Sequence, residues 1–309
     1  MIDILNTTLG MAVRMSTPYL FAALGGMMAQ HCGVYNFALE GMMLGGAFFG
    51  YFFTWMTGSL FIGVLGAVAV GFIFGWLMAF IFIRFGVSQM VICLGMNTLF
   101  IGITGYCARL LNMGAGIELR IDQQIGNVFN GFMTKIPVLG NMVLNQNILT
   151  YLVIALFVFY AWFIKRTSPG LALRSVGENP AAAQSAGINV YCFRYIIVTA
   201  SCILPALGGA YLTLTQVSRF TENMTNGRGW IAVAAVCLGR LTPLGTFLSC
   251  LLFGLASAVS NQLQALNIGV PFQVALMVPY ILAILALVSV RDKGHQGPAA
   301  LGKPYMRKR

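Results

Sequence analysis

Ser175-Val-Gly-Glu-Asn-Pro-Ala-Ala-Ala-Gln-Ser-Ala-Gly-Ile-Asn-Val190 is a polar island between two long apolar runs. Residues 148–164 before it and 195–217 after it carry no charge, while Lys165, Arg166, Arg174 and Arg194 surround it. In a chain that crosses a membrane, Lys and Arg collect on the cytoplasmic side, so residues 167–194 read as a cytoplasmic loop. The island also reads as ordered. Asn179 can N-cap a helix, Pro180 fits its first position, and Gly187 can end it. The expected helix is short and Ala-rich, about 10 Å long at the standard rise. Held just outside a membrane, it is a shape that another protein can grip.

Composition extends this reading to the whole chain. Hydrophobic residues make up 59% and charged residues 8%, against about 25% charged in a soluble domain. Residues 41–83 and 241–290 carry no charge. One pass needs about 20 apolar residues, so each run has room for two. The chain reads as one all-α, polytopic integral membrane domain, 1–309. Hydrophobic segments are expected near 9–30, 36–55, 60–83, 88–110, 148–164, 195–217, 229–239, 244–264 and 272–290. The seventh is too short to span straight and reads as re-entrant or as a continuation of the loop before it. This makes about eight or nine membrane helices.

The positive residues choose the orientation. With the C-terminus inside, Arg84, Lys165, Arg166, Arg174, Arg194, Arg240 and six tail residues are cytoplasmic. Arg14, Arg109, Arg120, Lys135, Arg219 and Arg228 lie outside, twelve against six among the 18 Lys and Arg. Residues 112–147 form one long external segment, either a small cap or a loop packed on helix ends. The net charge of +11 does not indicate nucleic acid, because the basic residues sit at the ends of apolar runs or in the tail. The tail, 291–309, reads as a solvated cytoplasmic segment attracted to anionic lipid. Residues 1–10 lack a basic start, so no removable signal peptide is expected. The seven cysteines are scattered without a Cys-x-x-Cys pair and read as small buried apolar residues. Ala23-Leu-Gly-Gly26 recurs as Ala206-Leu-Gly-Gly209 on a helix of opposite direction. An inverted-topology repeat would produce that pattern, and so would independent close helix packing.

No phosphate-cradling Gly-x-x-x-x-Gly-Lys-Ser/Thr loop, Ser-centred elbow or zinc-type His pattern is present. Catalytic and metal-ligating residues are therefore not expected, and the chain reads as no enzyme. Glu40 is the notable charge in an apolar stretch, four residues after Asn36. On a helix the two would share a face. A carboxylate in hydrocarbon is costly and faces protein or water. Glu40 then lines or gates a path, or it bonds a neighbouring helix. Gln89, Asn97, Thr98, Asn261, Gln262, Gln264 and Gln273 lie in membrane-length runs, where an amide bonds either a neutral ligand or another helix. Asn36, Phe37, Glu40, Asn97 and Gln273 are the candidate path residues.

The island resembles the coupling segment of bacterial ABC-importer permeases, through Val176-Gly-Glu-Asn-Pro-Ala-Ala-Ala183 and Ser185-Ala-Gly-Ile-Asn189. The likeness is to the nucleoside and simple-sugar group, related to the branched-chain amino-acid and ribose permeases. Thr17-Pro-Tyr-Leu-Phe-Ala-Ala-Leu-Gly-Gly26 and Gly33-Val-Tyr-Asn-Phe-Ala-Leu-Glu-Gly-Met-Met43 resemble that group's first segments. Gly227-Arg-Gly-Trp-Ile-Ala232, Leu238-Gly-Arg-Leu-Thr-Pro-Leu-Gly245 and Pro279-Tyr280 resemble its later half.

The resemblance implies a permease subunit in a bacterial cytoplasmic membrane, passing nucleosides or, alternatively, simple sugars. It implies ABC ATPase subunits that bind Mg-ATP, an external substrate-binding protein and a second permease chain, with no cofactor in this chain. Gly177, Glu178, Asn179, Pro180, Ala183 and Gly187 become the expected coupling residues. Two rivals remain at this level: a proton-coupled secondary carrier using Glu40, and a membrane scaffold or receptor that transports nothing.

Overall fold

The protein is described by a computed structural model, which covers residues 2–111, 146–265, 272–289, 297–303 and 305. The expectations for 112–145, and for much of the basic tail, fall outside the described residues. The regular structure is helical, in the order α1 (Ile2–His31), α2 (Leu39–Thr57), α3 (Leu60–Phe85), α4 (Gln89–Leu110), α5 (Ile148–Arg166), α6 (Ser168–Glu178), α7 (Pro180–Ser185), α8 (Val190–Tyr211), α9 (Arg228–Leu238), α10 (Pro243–Ala265) and α11 (Phe272–Ser289). A π-helical stretch, Leu212–Val217, prolongs α8. Among the described residues, five helices are long and apolar enough to cross a membrane: Leu60–Phe85, Gln89–Leu110, Ile148–Arg166, Val190–Val217 and Pro243–Gln264.

The outward faces are apolar. On α3, Phe61, Phe72, Ile73 and Trp76 are each more than half exposed. Hydrocarbon suits such a face, whereas in water a contiguous patch of this kind is an aggregation liability. In lipid, apolar side chains gain little by leaving their solvent, so close packing of small residues must hold the helices together. The interior of the bundle follows that rule.

α1 and α8 cross in opposite directions on a reciprocal pair of glycines. A Cβ on Gly25 would lie 2.6 Å from the Ser201 carbonyl oxygen, and one on Gly208 would lie 3.0 Å from Phe21 Cβ. Farther along the pair, Gln216 Nε2 donates to the Arg14 carbonyl at 2.8 Å. α2 and α8 run side by side in the same direction. Asn36 meets Ser201, Gly46 packs on the Ala206 backbone, and Thr213 Oγ1 bonds the Ala47 carbonyl. α3 covers the far side of α8, with Gly71 against Ile203 and Gly75 against Thr199. α1 in turn packs on α9 and α10.

Several expectations change. The 36–55 segment does not begin as a helix at Asn36. Residues 34–37 are irregular, and α2 starts at Leu39. Asn36 Oδ1 accepts the Ala38 N–H at 3.0 Å, a local side-chain bond that competes with helix formation. Asn36 and Glu40 therefore do not share a helix face. The 167–194 loop holds two helices where one was expected. Thr167 accepts from Gly170 N and Pro169 lies in the first turn, so Thr167-Ser-Pro starts α6 on its own. Asn189 caps α8, accepting from Cys192 N, so the helix begins at Val190, five residues before the apolar run at 195.

The glycine contacts separate two classes of position. Nothing lies within 4 Å of a Cβ built on Gly95 or Gly102, while one on Gly46 or Gly209 would run into the backbone of the partner helix. Gly46→Ala and Gly209→Ala are expected to lower stability by about 1–3 kcal/mol through overpacking. Gly95→Ala and Gly102→Ala are expected to cost nothing. Thermal unfolding of the isolated chain in detergent, followed by tryptophan fluorescence, checks both pairs.

Candidate functional site

The loop between α1 and α2 is anchored by several side-chain hydrogen bonds. Gly33 turns the chain with φ +79, a conformation that a side chain resists. Gln89 Oε1 then accepts the Tyr35 N–H at 2.8 Å. Asn36 Nδ2 donates to Ser201 Oγ at 2.9 Å, part-way along α8. Asn97 grips both sides of the α2 start: its Nδ2 donates to the Phe37 carbonyl at 2.9 Å, and its Oδ1 accepts the Gly41 N–H at 2.8 Å. Three buried amides, Gln89, Asn36 and Asn97, thus satisfy backbone that would otherwise be unpaired inside the bundle.

Glu40 closes the same loop from the other side. It is 6% exposed, and its carboxylate faces the N-terminus of α9. Oε1 accepts the Gly227 N–H at 2.9 Å, and Oε2 accepts the Gly229 N–H at 2.6 Å. Free N–H groups and the positive end of the helix dipole make this an anion position. Two glycines allow the approach. Gly227 sits at φ +78, and a Cβ on Gly229 would lie 2.6 Å from Glu40 Cα. Tyr280 Oη donates to the Asn226 carbonyl at 2.8 Å and steadies the turn. Upstream, Arg109 at the end of α4 makes two bonds to Glu222, at 2.8 and 3.0 Å. These hydrogen bonds hold the Glu222 carboxyl below the usual carboxylate range, and the exposed pair is open to screening by salt.

Beside this junction stands an aromatic column. The rings of Tyr35 and Phe37 stack at 5.2 Å and 16°, and those of Phe37 and Trp230 at 6.5 Å and 20°. Tyr35 and Phe37 are half-buried, while Trp230 is 43% exposed. The structure therefore brings Phe37, Glu40, Asn36 and Asn97 into one neighbourhood. Gln273 lies on α11, and its side chain falls outside the described residues. Sequence reasoning did not single out Tyr35, Gly227, Gly229 or Trp230. The Gly-x-Gly spacing before an aromatic was the available signal, but nothing in it pointed to Glu40, far away in the chain.

The second candidate region is the polar island. α7 forms where its caps placed it. Asn179 Oδ1 accepts the Ala182 N–H at 3.1 Å, Pro180 opens the helix, and Gly187 beyond its end has φ +87. At six residues it spans about 9 Å. Asn179 and Gly187 are exposed, but Ala183 is 3% exposed and packs into the core. Ala183 is thus an anchor, and Ala181, Ala182 and Ser185 form the outward face. Gly177 is buried where a Cβ would strike the His31 carbonyl oxygen. Glu178 Oε2 accepts the Ala299 N–H at 3.2 Å, from the C-terminal stretch.

Comparison with known proteins adds the following. A family described as "Branched-chain amino acid transport system / permease component" matches residues 8–287. The guanosine ABC transporter permease protein NupQ of Bacillus subtilis is 34% identical, over 99% of this chain and 98% of its own. The nucleoside ABC transporter permease protein NupC of Lactococcus lactis is 30% identical, over 94% of each chain. A putative glucose ABC transporter permease protein of Haloferax volcanii, TsgC13, is 29% identical, over 86% of this chain and 79% of its own. No solved structure matches.

The Glu40 junction generates a stability test. Glu40→Ala leaves the buried Gly229 N–H and the half-buried Gly227 N–H without their acceptor, a loss expected to be about 1–3 kcal/mol. Gly229→Ala is expected to be at least as damaging, because the new methyl meets backbone rather than a movable side chain. Thermal unfolding of the chain in lipid nanodiscs reads both. An unchanged midpoint for Glu40→Ala would show that α9 does not depend on the carboxylate.

Proposed function

The chain belongs to the permease-component family of branched-chain amino acid transport systems, and on that premise we propose that it is a membrane subunit of an ABC importer for nucleosides. One observation carries the substrate class. Its likeness to guanosine and nucleoside permeases runs over nearly the whole of each chain. The aromatic column supports the same class, since nucleobases stack on aromatic faces in a sequence-tolerant way. Glu40 takes up two N–H groups at the N-terminus of α9 that an anionic ligand would otherwise use. A phosphorylated nucleotide would enter at a cost of several kcal/mol or more. Simple sugars remain the second reading, on the likeness to the putative glucose permease.

In this reading α1 to α5, α8, α10 and α11 cross the membrane, and α9 passes part-way. The four-residue repeat at Ala23 and Ala206 belongs to an inverted pair of units, α1–α4 and α8–α11. The reciprocal crossing of Gly25 and Gly208 supports this, as does the matching pattern in which α1 lies on α9 and α10 while α8 lies on α2 and α3. The N-terminus lies outside. The C-terminal stretch packs on the polar island, in keeping with a cytoplasmic position for both. ATPase subunits bind the outward face of α7, an external binding protein delivers substrate, and a second permease chain completes the path. Tyr35, Phe37 and Trp230 form part of its wall. Asn36, Asn97 and Glu40 hold that wall in place, and Gln273 is a further path candidate. Both carboxylate oxygens of Glu40 are engaged by backbone N–H groups, which supports a structural role over a proton-coupled cycle.

Reconstitution of the chain with its ATPase, binding protein and partner permease in proteoliposomes tests the proposal. ATP-driven uptake of guanosine is expected, with guanosine monophosphate excluded. Trp230→Ala is expected to slow uptake about tenfold, the equivalent of about 1.4 kcal/mol of lost stacking. Uptake confined to charged nucleotides or amino acids would sink the substrate assignment.

Coupling is tested at Gly187. A φ of +87 is closed to proline, and no neighbour lies within 4 Å of the added Cβ. Gly187→Pro is expected to abolish uptake while membrane insertion stays normal, and Gly187→Asn, which tolerates the left-handed region, to retain most of it. Equal transport by wild type and the proline variant would remove α7 from the coupling role.

A further inference from the structure

Residues 297–303 and Tyr305 return to the polar island as a short strap and contact four separate pieces of the chain. Ala299 N donates to Glu178 Oε2 at 3.2 Å, and Ala300 N donates to the Gly177 carbonyl at 3.0 Å, so the strap holds the end of α6. Tyr305 Oη donates to Gln184 Oε1 at 2.8 Å, which holds α7. The Tyr305 ring lies 5.9 Å from that of Tyr191, in the first turn of α8. Gly302 N donates to the Gly33 carbonyl at 3.1 Å, which ties the strap to the α1–α2 loop. The fit at that last point is close. Gly302 has φ +77, and a Cβ there would lie 2.9 Å from the Tyr35 ring. Ala300 is buried beneath it.

The position of Gly33 gives these bonds their meaning. Two residues on stands Tyr35, the first ring of the aromatic column, followed by Asn36, Phe37 and Glu40. α6, which leads into the coupling helix, touches this loop directly, with Gly177 against Gly33 and the His31 carbonyl. The strap adds further connections, and hydrogen bonds transmit displacement because they weaken steeply with changes in length or angle. We infer that the strap formed by residues 297–303 and Tyr305 is a transmission element that carries movement of the coupling helix to the α1–α2 loop and so to the aromatic wall. This rests on the ABC-importer reading given above. Tyr305, Ala300 and Gly302 are positioning residues in this scheme, since they touch neither substrate nor nucleotide. Glu178 also serves as an acceptor for its own chain.

The test uses the full assembly in proteoliposomes and reads two quantities together, nucleoside accumulated and ATP hydrolysed. Gly302→Val forces a branched side chain into a left-handed backbone beside the Tyr35 ring, and Ala300→Pro removes the N–H that reaches Gly177. Each is expected to lower uptake per ATP hydrolysed about fivefold or more, with the ATPase still bound on copurification and hydrolysis retained. Tyr305→Phe keeps every backbone bond and the ring, loses only the bond to Gln184, and is expected to lower the ratio about twofold. This milder variant carries the test if the first two fail to insert. A wild-type ratio in Tyr305→Phe and in whichever of the others inserts would overturn the inference. So would loss of the ATPase from the complex, which would make the strap part of a docking surface. Failure of the wild-type assembly to take up nucleoside with ATP would instead overturn the importer reading.

Discussion

The carboxylate of Glu40 against the N-terminus of α9 is the contact on which the centre of this molecule depends. α9 is too short to cross a bilayer, so one of its ends must lie among other helices. An N-terminus there exposes N–H groups that lipid cannot satisfy. Glu40 accepts two of them and places a negative charge at the positive end of the dipole. Each group answers a cost that the other would bear alone. A lone carboxylate and a lone helix end are both unfavourable in a low-dielectric interior, and together they form a rigid joint. That joint fixes where α9 begins, and with it where Trp230 stands relative to Phe37.

A second requirement explains the abundance of glycine. Hydrophobic burial cannot drive helices together in hydrocarbon, so contact area must come from close backbone approach. Gly46 and Gly209 bring α2 and α8 to that distance, and Gly25 and Gly208 do so for α1 and α8. α8 consequently lies at the centre, against α1, α2 and α3. The amides complete this arrangement. Asn36, Gln89 and Asn97 bond loop and helix-start backbone that no regular helix could pair. Together with Glu40, these amides serve the irregular backbone of two interior helix starts.

Local rules were readable wherever the chain answers only to itself. The Asn179 cap, Pro180 at the helix start and the left-handed Gly187 are properties of a few consecutive residues, and all three appear in the structure. α6 obeys the same rules through Thr167 and Pro169, but its residues sit beside Lys165 and Arg166 and resemble a plain charged loop. Ala183 shows the limit of local reading. Its neighbours in sequence face outward, and only the packing of α7 on the body decides that it faces inward.

The apolar runs, the small-residue composition and the polar island determined by themselves an all-helical membrane chain with a short capped helix between two apolar runs. The near-complete alignment with nucleoside permeases rests on that same linear information. Tertiary structure decided what the interior polar residues do. Asn36 and Glu40 are four residues apart and suggested one helical face, yet the chain between them is partly irregular, and their side chains reach Ser201 and Gly229. Partners more than a hundred residues away leave no trace in spacing or periodicity. A buried polar group must find a partner, but a sequence does not say which one, because that choice depends on the helix packing that brings distant segments within bonding distance.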